Sequence, residues 1–235
     1  MVDRVIYLYQ FGIGWIVDKE GQTEEAMNWY KKAFTYNPSY YQASNNIGWA
    51  YARMKNTDSA VHYYRQTLQI KPDFTTTITN LANIYFDSFK DDSAIYYYKQ
   101  LSQLLAKPDA FTYNRIGISY NYLGNYDSAI VYYKKAIGET DKVFAFFTNL
   151  VDEYFNRKQY DSAIQYYENV NNLLPDSTKT YFNLAFSYAS QANYKKAEEI
   201  YKQSLLKQKN NPNIYLTYYN LGWTLDKQKK LDESL

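Results

Sequence analysis

The chain has no cysteine and a single histidine, His62, in 235 residues. The first absence excludes disulfides, thiolate metal sites and thiol nucleophiles, and leaves the redox compartment open. The second leaves no imidazole cluster for a metal or a proton relay. Proline and glycine are scarce, at 5 and 8 residues. Charge of one sign is also lacking, because 26 Lys and Arg balance 24 Asp and Glu to a formal +2. Bulk charge therefore offers little attraction for a polyphosphate. No hydrophobic run is long enough to span a bilayer. The apolar stretch from Val5 to Val17 carries Tyr7, Tyr9 and Gln10 and runs into Asp18-Lys19-Glu20. It reads as a helix of the array described below and not as a leader.

What the chain has in excess is tyrosine, 30 residues against 12 Phe and 4 Trp. Many of these tyrosines fall at a fixed period. YDSAIVYYKKA at Tyr126 echoes YDSAIQYYENV at Tyr160, and DSAIYYYKQL at Asp92 and DSAVHYYRQT at Asp58 are further copies. Aligned on one small residue, the copies fall at Ala26, Ala60, Ala94, Ala129, Ala163 and Ala197, with gaps of 34, 34, 35, 34 and 34. Four residues after each stands a tyrosine: Tyr30, Tyr64, Tyr98, Tyr133, Tyr167 and Tyr201. A fixed period of this size is the mark of a solenoid, in which each unit packs only on its neighbours.

The clearest unit is Ala110 to Thr140. Tyr113, Ile116, Gly117 and Tyr120 share a helical face. Gly124-Asn125 breaks that helix, Asp127-Ser128 is expected to cap the next, and Gly138 to end it. The same capping role is expected of Asp58, Asp92 and Asp161. Units begin at Tyr7, Tyr41, Thr75, Ala110, Phe144, Thr178 and Tyr215, giving 7–40, 41–74, 75–109, 110–143, 144–177, 178–214 and a partial 215–235. Counting slots from each start, the seventh is aliphatic throughout: Ile13, Ile47, Leu81, Ile116, Leu150, Leu184 and Leu221. The eighth is mostly small: Gly14, Gly48, Ala82, Gly117, Val151, Ala185 and Gly222. A small residue there lets two helices approach closely, so the Ala and Tyr stripe of the second helix should face it. The eleventh slot is tyrosine in five of the seven units.

This pattern resembles the tetratricopeptide repeat family, whose 34-residue unit is helix–turn–helix. A closing proline stands in register at Pro38, Pro72 and Pro175, is displaced at Pro108 and Pro212, and is missing after Gly138. The resemblance spans Tyr7 to Leu235. It implies an all-α fold, a right-handed superhelix of antiparallel helix pairs, with at least thirteen helices and no sheet. Departures are local. Leu101 replaces a small residue, the sixth unit runs long through Lys207 to Asn211, and the seventh stops inside its second helix. Both ends read as cut, so the chain is expected to be part of a longer array with end-to-end self-association open to it.

Chemistry is sparse. His62 reads as a surface residue. Gly12-Ile13-Gly14 lacks the third glycine and preceding strand of a dinucleotide loop. A glycosidase would need two convergent carboxylates, and only Asp152, with Asp87 at the edge, faces the right way. No cofactor or metal is expected.

The resemblance directs attention to the inner face of the first helices, where the family holds extended peptides or partner helices. The sixth slot there is Asn46, Asn80, Asn149, Asn183 and Asn220, with Arg115 in the middle unit; Asn45 and Asn114 stand in the fifth and Asn83 in the ninth. This ladder either reads a ligand backbone or braces the array. Aromatic platforms are expected at Phe11, Trp15, Trp49, Phe86, Tyr122, Phe155, Phe182, Phe186, Tyr219 and Trp223, with Asp152 among them. A carboxylate clamp is not expected, because Asn45 and Phe111 occupy its lysine positions. Single-stranded RNA binding, as in 35-residue pentatricopeptide arrays, finds the right residue types at Asn45, Thr79, Asn114 and Thr148. It is disfavoured by the closing residues Tyr40, Phe74, Asp109, Val143 and Ser177, which carry no matching code, and by the near-neutral charge. The sequence thus points to a non-enzymatic scaffold that binds a protein or peptide segment.

Overall fold

In the computed structural model the described residues are 2–105, 109–139, 144–173, 178–207 and 214–234. Among them are thirteen helices and no strand. In chain order these are α1 (Val2–Lys19), α2 (Thr23–Tyr36), α3 (Tyr41–Arg53), α4 (Thr57–Ile70), α5 (Thr75–Asp87), α6 (Asp91–Leu104) and α7 (Ala110–Tyr122). There follow α8 (Tyr126–Glu139), α9 (Phe144–Asn156), α10 (Tyr160–Leu173), α11 (Thr178–Ser190), α12 (Tyr194–Lys207) and α13 (Ile214–Ser234). They group into two compact units, one up to Asn125 and one from Tyr126 on. Within each unit, helices adjacent in sequence pack on each other, which is the helix-pair solenoid expected from the period. Pro108, Pro175 and Pro212 lie outside the described residues.

The core follows the slots. Ala26, Ala60, Ala94, Ala129, Ala163 and Ala197 are fully buried, and the tyrosines four residues later are 0–3% exposed. At Gly14 and Gly48 the small eighth slot has the reason anticipated, whereas a Cβ on Gly222 would meet nothing within 4 Å. A Cβ on Gly14 would lie 2.8 Å from Cε1 of Tyr30, and one on Gly48 would lie 2.8 Å from Cδ1 of Tyr64. The backbone of the first helix rests on the ring of the second.

The eleventh-slot tyrosines join neighbouring repeats. Lys31 donates to the Tyr51 hydroxyl at 2.9 Å, Arg65 to Tyr85 at 2.8 Å and Lys99 to Tyr120 at 2.6 Å. Lys134 does the same to Tyr154. Each such cation stands one residue after the buried tyrosine of its own helix. The eleventh-slot rings also stack, Tyr51 on Tyr63, Tyr85 on Tyr97 and Tyr154 on Tyr166, at 5.6–5.7 Å between centroids. Part of the tyrosine excess is therefore a repeated joint, with ring packing and a hydroxyl bonded at its tip.

Two local expectations need correction. The second helices begin one residue before the Asp-Ser pair, so Asp58, Asp92, Asp127 and Asp161 lie inside the first turn. The cap of α4 is Asn56, whose Oδ1 accepts from the Ser59 N–H at 3.2 Å. The aspartates still oppose the positive end of the helix dipole. Asp127 also reaches the next turn of its own compact unit and pairs with Arg157 at 2.7 Å, and Asp161 accepts from Gln191. Gly138 does not end α8, which continues helically through it to Glu139.

The turn between paired helices has a left-handed residue in every complete unit: Gly21, Lys55, Phe89, Gly124, Lys158 and Ala192, with φ between 54° and 85°. The backbone then closes back on the first helix, as in the 2.9 Å bond from the Asn56 N–H to the Tyr51 carbonyl. This fixes where the second helix can start and moves the cap ahead of the aspartate. Only two of these six positions are glycine, so glycine spacing alone does not reveal the turn.

Candidate functional site

The first helices α1, α3, α5 and α7 present their predicted binding slots in one compact unit, and α9, α11 and α13 in the other. In the first unit the asparagines divide. Asn45 is buried, accepts from the Thr77 hydroxyl at 2.7 Å and donates to Asn46 at 3.1 Å. Asn80 hydrogen-bonds the Tyr64 hydroxyl. Asn83 accepts from the Tyr98 hydroxyl at 2.7 Å and from Arg115. Arg115 also donates to the Tyr98 hydroxyl at 2.8 Å and lies 5.2 Å over the Phe86 ring. Asn114 is buried. In the second unit, Asn183 donates to the Tyr167 hydroxyl at 3.0 Å, and Asn149 is half-buried.

One rule underlies these bonds. The buried tyrosine of a second helix meets the sixth-slot side chain of the next repeat, as Asn80 meets Tyr64, Arg115 meets Tyr98 and Asn183 meets Tyr167. Tyr30 comes close without completing the bond. Asn46 partly offsets the burial that pushes its pKa up to about 12, yet the hydroxyl has no hydrogen bond of normal geometry. The bonded phenols are also shifted upward, by burial first, with Asn80, Arg115 and Asn183 acting against it. At Tyr167 the Asp152 charge adds to the rise.

The aromatic residues divide by type. Phe11 packs on Tyr30 and Tyr40, Phe86 on Tyr98, Phe155 on Tyr160, Tyr167 and Phe186, and Phe182 on Tyr201, all half-buried. The indoles and tyrosines stand further out. Trp15 is 52% exposed, Trp223 43%, Tyr122 60% and Tyr219 72%. Trp49 is half-buried. Asp152 pairs with Lys179 at 2.7 Å and accepts from Tyr167 at 3.3 Å.

A further feature escaped the sequence reading. Each ninth-slot indole carries the cation four residues later over its ring: Lys19 over Trp15 at 5.4 Å, Arg53 over Trp49 at 4.8 Å and Lys227 over Trp223 at 5.7 Å. Residues four apart lie on the same helical strip, so the spacing alone could have revealed it. Arg53 also reaches Asp18 at 3.4 Å, and burial pushes the Asp18 carboxyl above the usual range against the pull of Arg53. Among the described residues no group of three His, Cys, Asp or Glu could hold a metal ion. His62 is exposed, against the edge of Tyr63.

The packing of paired helices defines a helix-pair repeat protein. Tetratricopeptide repeat family models match residues 19–55, 41–74, 110–138 and 154–221, and the chain belongs to that family. Solved structures share the fold. YrrB, described as a tetratricopeptide repeat protein with an unusual peptide-binding site, is 16% identical over 81% of this chain and 96% of its own, with a TM-score of 0.67. The C-terminal part of a repeat protein from Cytophaga hutchinsonii is 20% identical over 84% and 78%, also with a TM-score of 0.67. PilF of Pseudomonas aeruginosa is 14% identical over 94% and 100%, with a TM-score of 0.61. No curated protein matches the chain at a significant level. Among the described residues no helix is long and apolar enough to cross a membrane.

Proposed function

We propose that the chain is a non-enzymatic scaffold that binds an extended segment of a protein partner against its first-helix faces. The observation that supports this most is the indole–cation pair repeated at Trp15, Trp49 and Trp223. Helix pairing does not need large rings left half in water, and indoles of this kind serve as anchors in binding surfaces. A cation beside each ring suits a partner segment in which apolar side chains are interspersed with carboxylates. The asparagines support the rings chiefly by bonding the phenols behind them, so the aromatic residues carry the contact. A peptide-binding site on YrrB, which shares the fold, is consistent with this use.

Trp49→Ala should weaken binding of the partner segment more than tenfold and leave the helical signal and melting point nearly unchanged. Isothermal titration and thermal melting of the same variant check it. A large loss of stability with unchanged affinity would mean that the indole is core.

Exposed apolar residues on α1 favour a second reading, that of self-association. Val5, Leu8, Tyr9 and Ile16 are 45–70% exposed. In the other compact unit α13 separately exposes Tyr215, Leu216 and Tyr218. Exposed apolar residues grouped on one helix mark an interaction face. Light scattering should show dimers or short chains whose population rises with concentration. A monomer at high concentration would overturn this reading.

A further inference from the structure

The joint between repeats changes sign once. At four joints a cation stands one residue after the buried tyrosine and bonds the eleventh-slot phenol of the next repeat, 20 or 21 residues on. Lys31 serves Tyr51 in this way, Arg65 serves Tyr85, Lys99 serves Tyr120 and Lys134 serves Tyr154. The three lysines also lie over the rings, 5.0 Å from Tyr51, 5.1 Å from Tyr120 and 5.7 Å from Tyr154. At the next joint the cation's position is Glu168, 20 residues before Tyr188. There the phenol donates its proton to the carboxylate, whereas the other four accept. The bond lies at the surface, and Glu168 is exposed. Among the described residues Glu168 has no cation partner. Burial first, then Glu168 and Glu199, push the Tyr188 phenol up to about 12, with no cation acting against them. Glu199 itself pairs with Lys196 at 2.9 Å.

A phenol that donates its proton keeps lone pairs on its oxygen, and a carboxylate bonded through one oxygen keeps the other free. Tyr188 and Glu168 thus offer two neighbouring acceptors and one negative charge, in the position where the other joints hold a cation. An ammonium group meets both acceptors and the charge, through bonds stronger than those between neutral groups. An anionic ligand is repelled here, and an apolar one leaves the charge unmet. A bare metal ion lacks ligands, since among the described residues no group of three His, Cys, Asp or Glu could hold one. The chain's own precedent selects the ammonium, because three of the four cations are lysines. We propose that the Glu168–Tyr188 joint is a docking point for a lysine side chain of a partner protein. Neither residue belongs to the indole face, so this site stands apart from the groove reading.

The test titrates tetralysine into the full chain and follows the ring resonances of Tyr188. Its control is tetralysine acetylated on every side-chain amine, which has the same backbone without those charges. Tetralysine should shift the Tyr188 resonances with an affinity about fivefold above the acetylated form, the ratio expected of one surface ion contact. Glu168→Gln keeps the shape, removes the charge and should bring the two peptides level. Glu168→Lys supplies the cation from within the chain. It should abolish the tetralysine shift and melt above the parent, because the new side chain completes the joint as at the other four. An equal response to both peptides, or a response that survives Glu168→Gln, would overturn the proposal. So would a Glu168→Lys variant that melts below the parent. Tyr188 resonances that move with chain concentration alone would also overturn it, by placing a second copy at the joint.

Discussion

Raising the pH should unfold this protein in one cooperative step between about pH 10 and 12. The phenols of Tyr30, Tyr64, Tyr98, Tyr167 and Tyr201 are buried, and in each case burial is the main cause of a raised pKa. Tyr30 is pushed up to about 12. In the unfolded chain a phenol titrates near 10. Below pH 10 both states hold the proton and stability is full. As the pH rises through that value the unfolded ensemble ionises while the folded state keeps its protons, so stability falls. The loss is complete once the pH passes the folded value. One pKa unit corresponds to about 1.4 kcal/mol, so Tyr30 alone accounts for roughly 2–3 kcal/mol. Four more phenols shifted the same way bring the total within reach of a typical domain's whole stability, about 5–15 kcal/mol. Loss of the far-UV helical signal should therefore coincide with the rise of tyrosinate absorbance from this buried class. Gradual ionisation of all the tyrosines with the helices intact would contradict the account.

The sequence shows the period, the helix pairs and the buried Ala and Tyr stripes because those depend on spacing within one helix. Gly14 and Gly48 signal the close approach before Tyr30 and Tyr64 are seen against them. The turns are less legible. Lys55, Phe89, Lys158 and Ala192 adopt a conformation that their side chains do not favour, and only the repeat imposes it. The candidate site is legible in its residue types but not in their partners. Asn80 and Asn183 read equally well as ligand contacts or as braces, because the phenols they bond lie sixteen residues earlier, on another helix. The unbonded hydroxyl of Tyr201 was hidden for the opposite reason. Asn220 occupies a slot that looks regular, yet it donates to the Leu216 carbonyl of its own helix.

Truncating one of these phenols should be the most damaging single change in the array, and Tyr98→Ala is the sharpest case. The Tyr98 side chain is 2% exposed and packs edge-on against Phe86. Removing a buried aromatic ring typically costs about 3–5 kcal/mol, through lost burial and the cavity left behind. Here the ring also carries polar partners. Its hydroxyl donates to Asn83 and accepts from Arg115, whose guanidinium is partly buried and lies over Phe86. Without the phenol, Arg115 keeps Asn83 but loses a hydrogen bond in a place where water is restricted, which adds to the cost. Tyr98→Phe separates the two contributions, because it keeps the ring and deletes only the hydroxyl. It should cost about 1–2 kcal/mol, against at least about 4 kcal/mol for Tyr98→Ala. The position also matters along the chain. Tyr98 belongs to α6, while Arg115 belongs to α7 of the next repeat, so the change weakens a junction between repeats as well as a helix pair. In a solenoid, stability is close to a sum of repeat and junction contributions. Urea unfolding of Tyr98→Ala should then broaden or split into two transitions, with α1 to α5 melting apart from α7. A single sharp transition displaced by less than about 1 kcal/mol would mean that neither the ring nor its Arg115 bond couples the repeats.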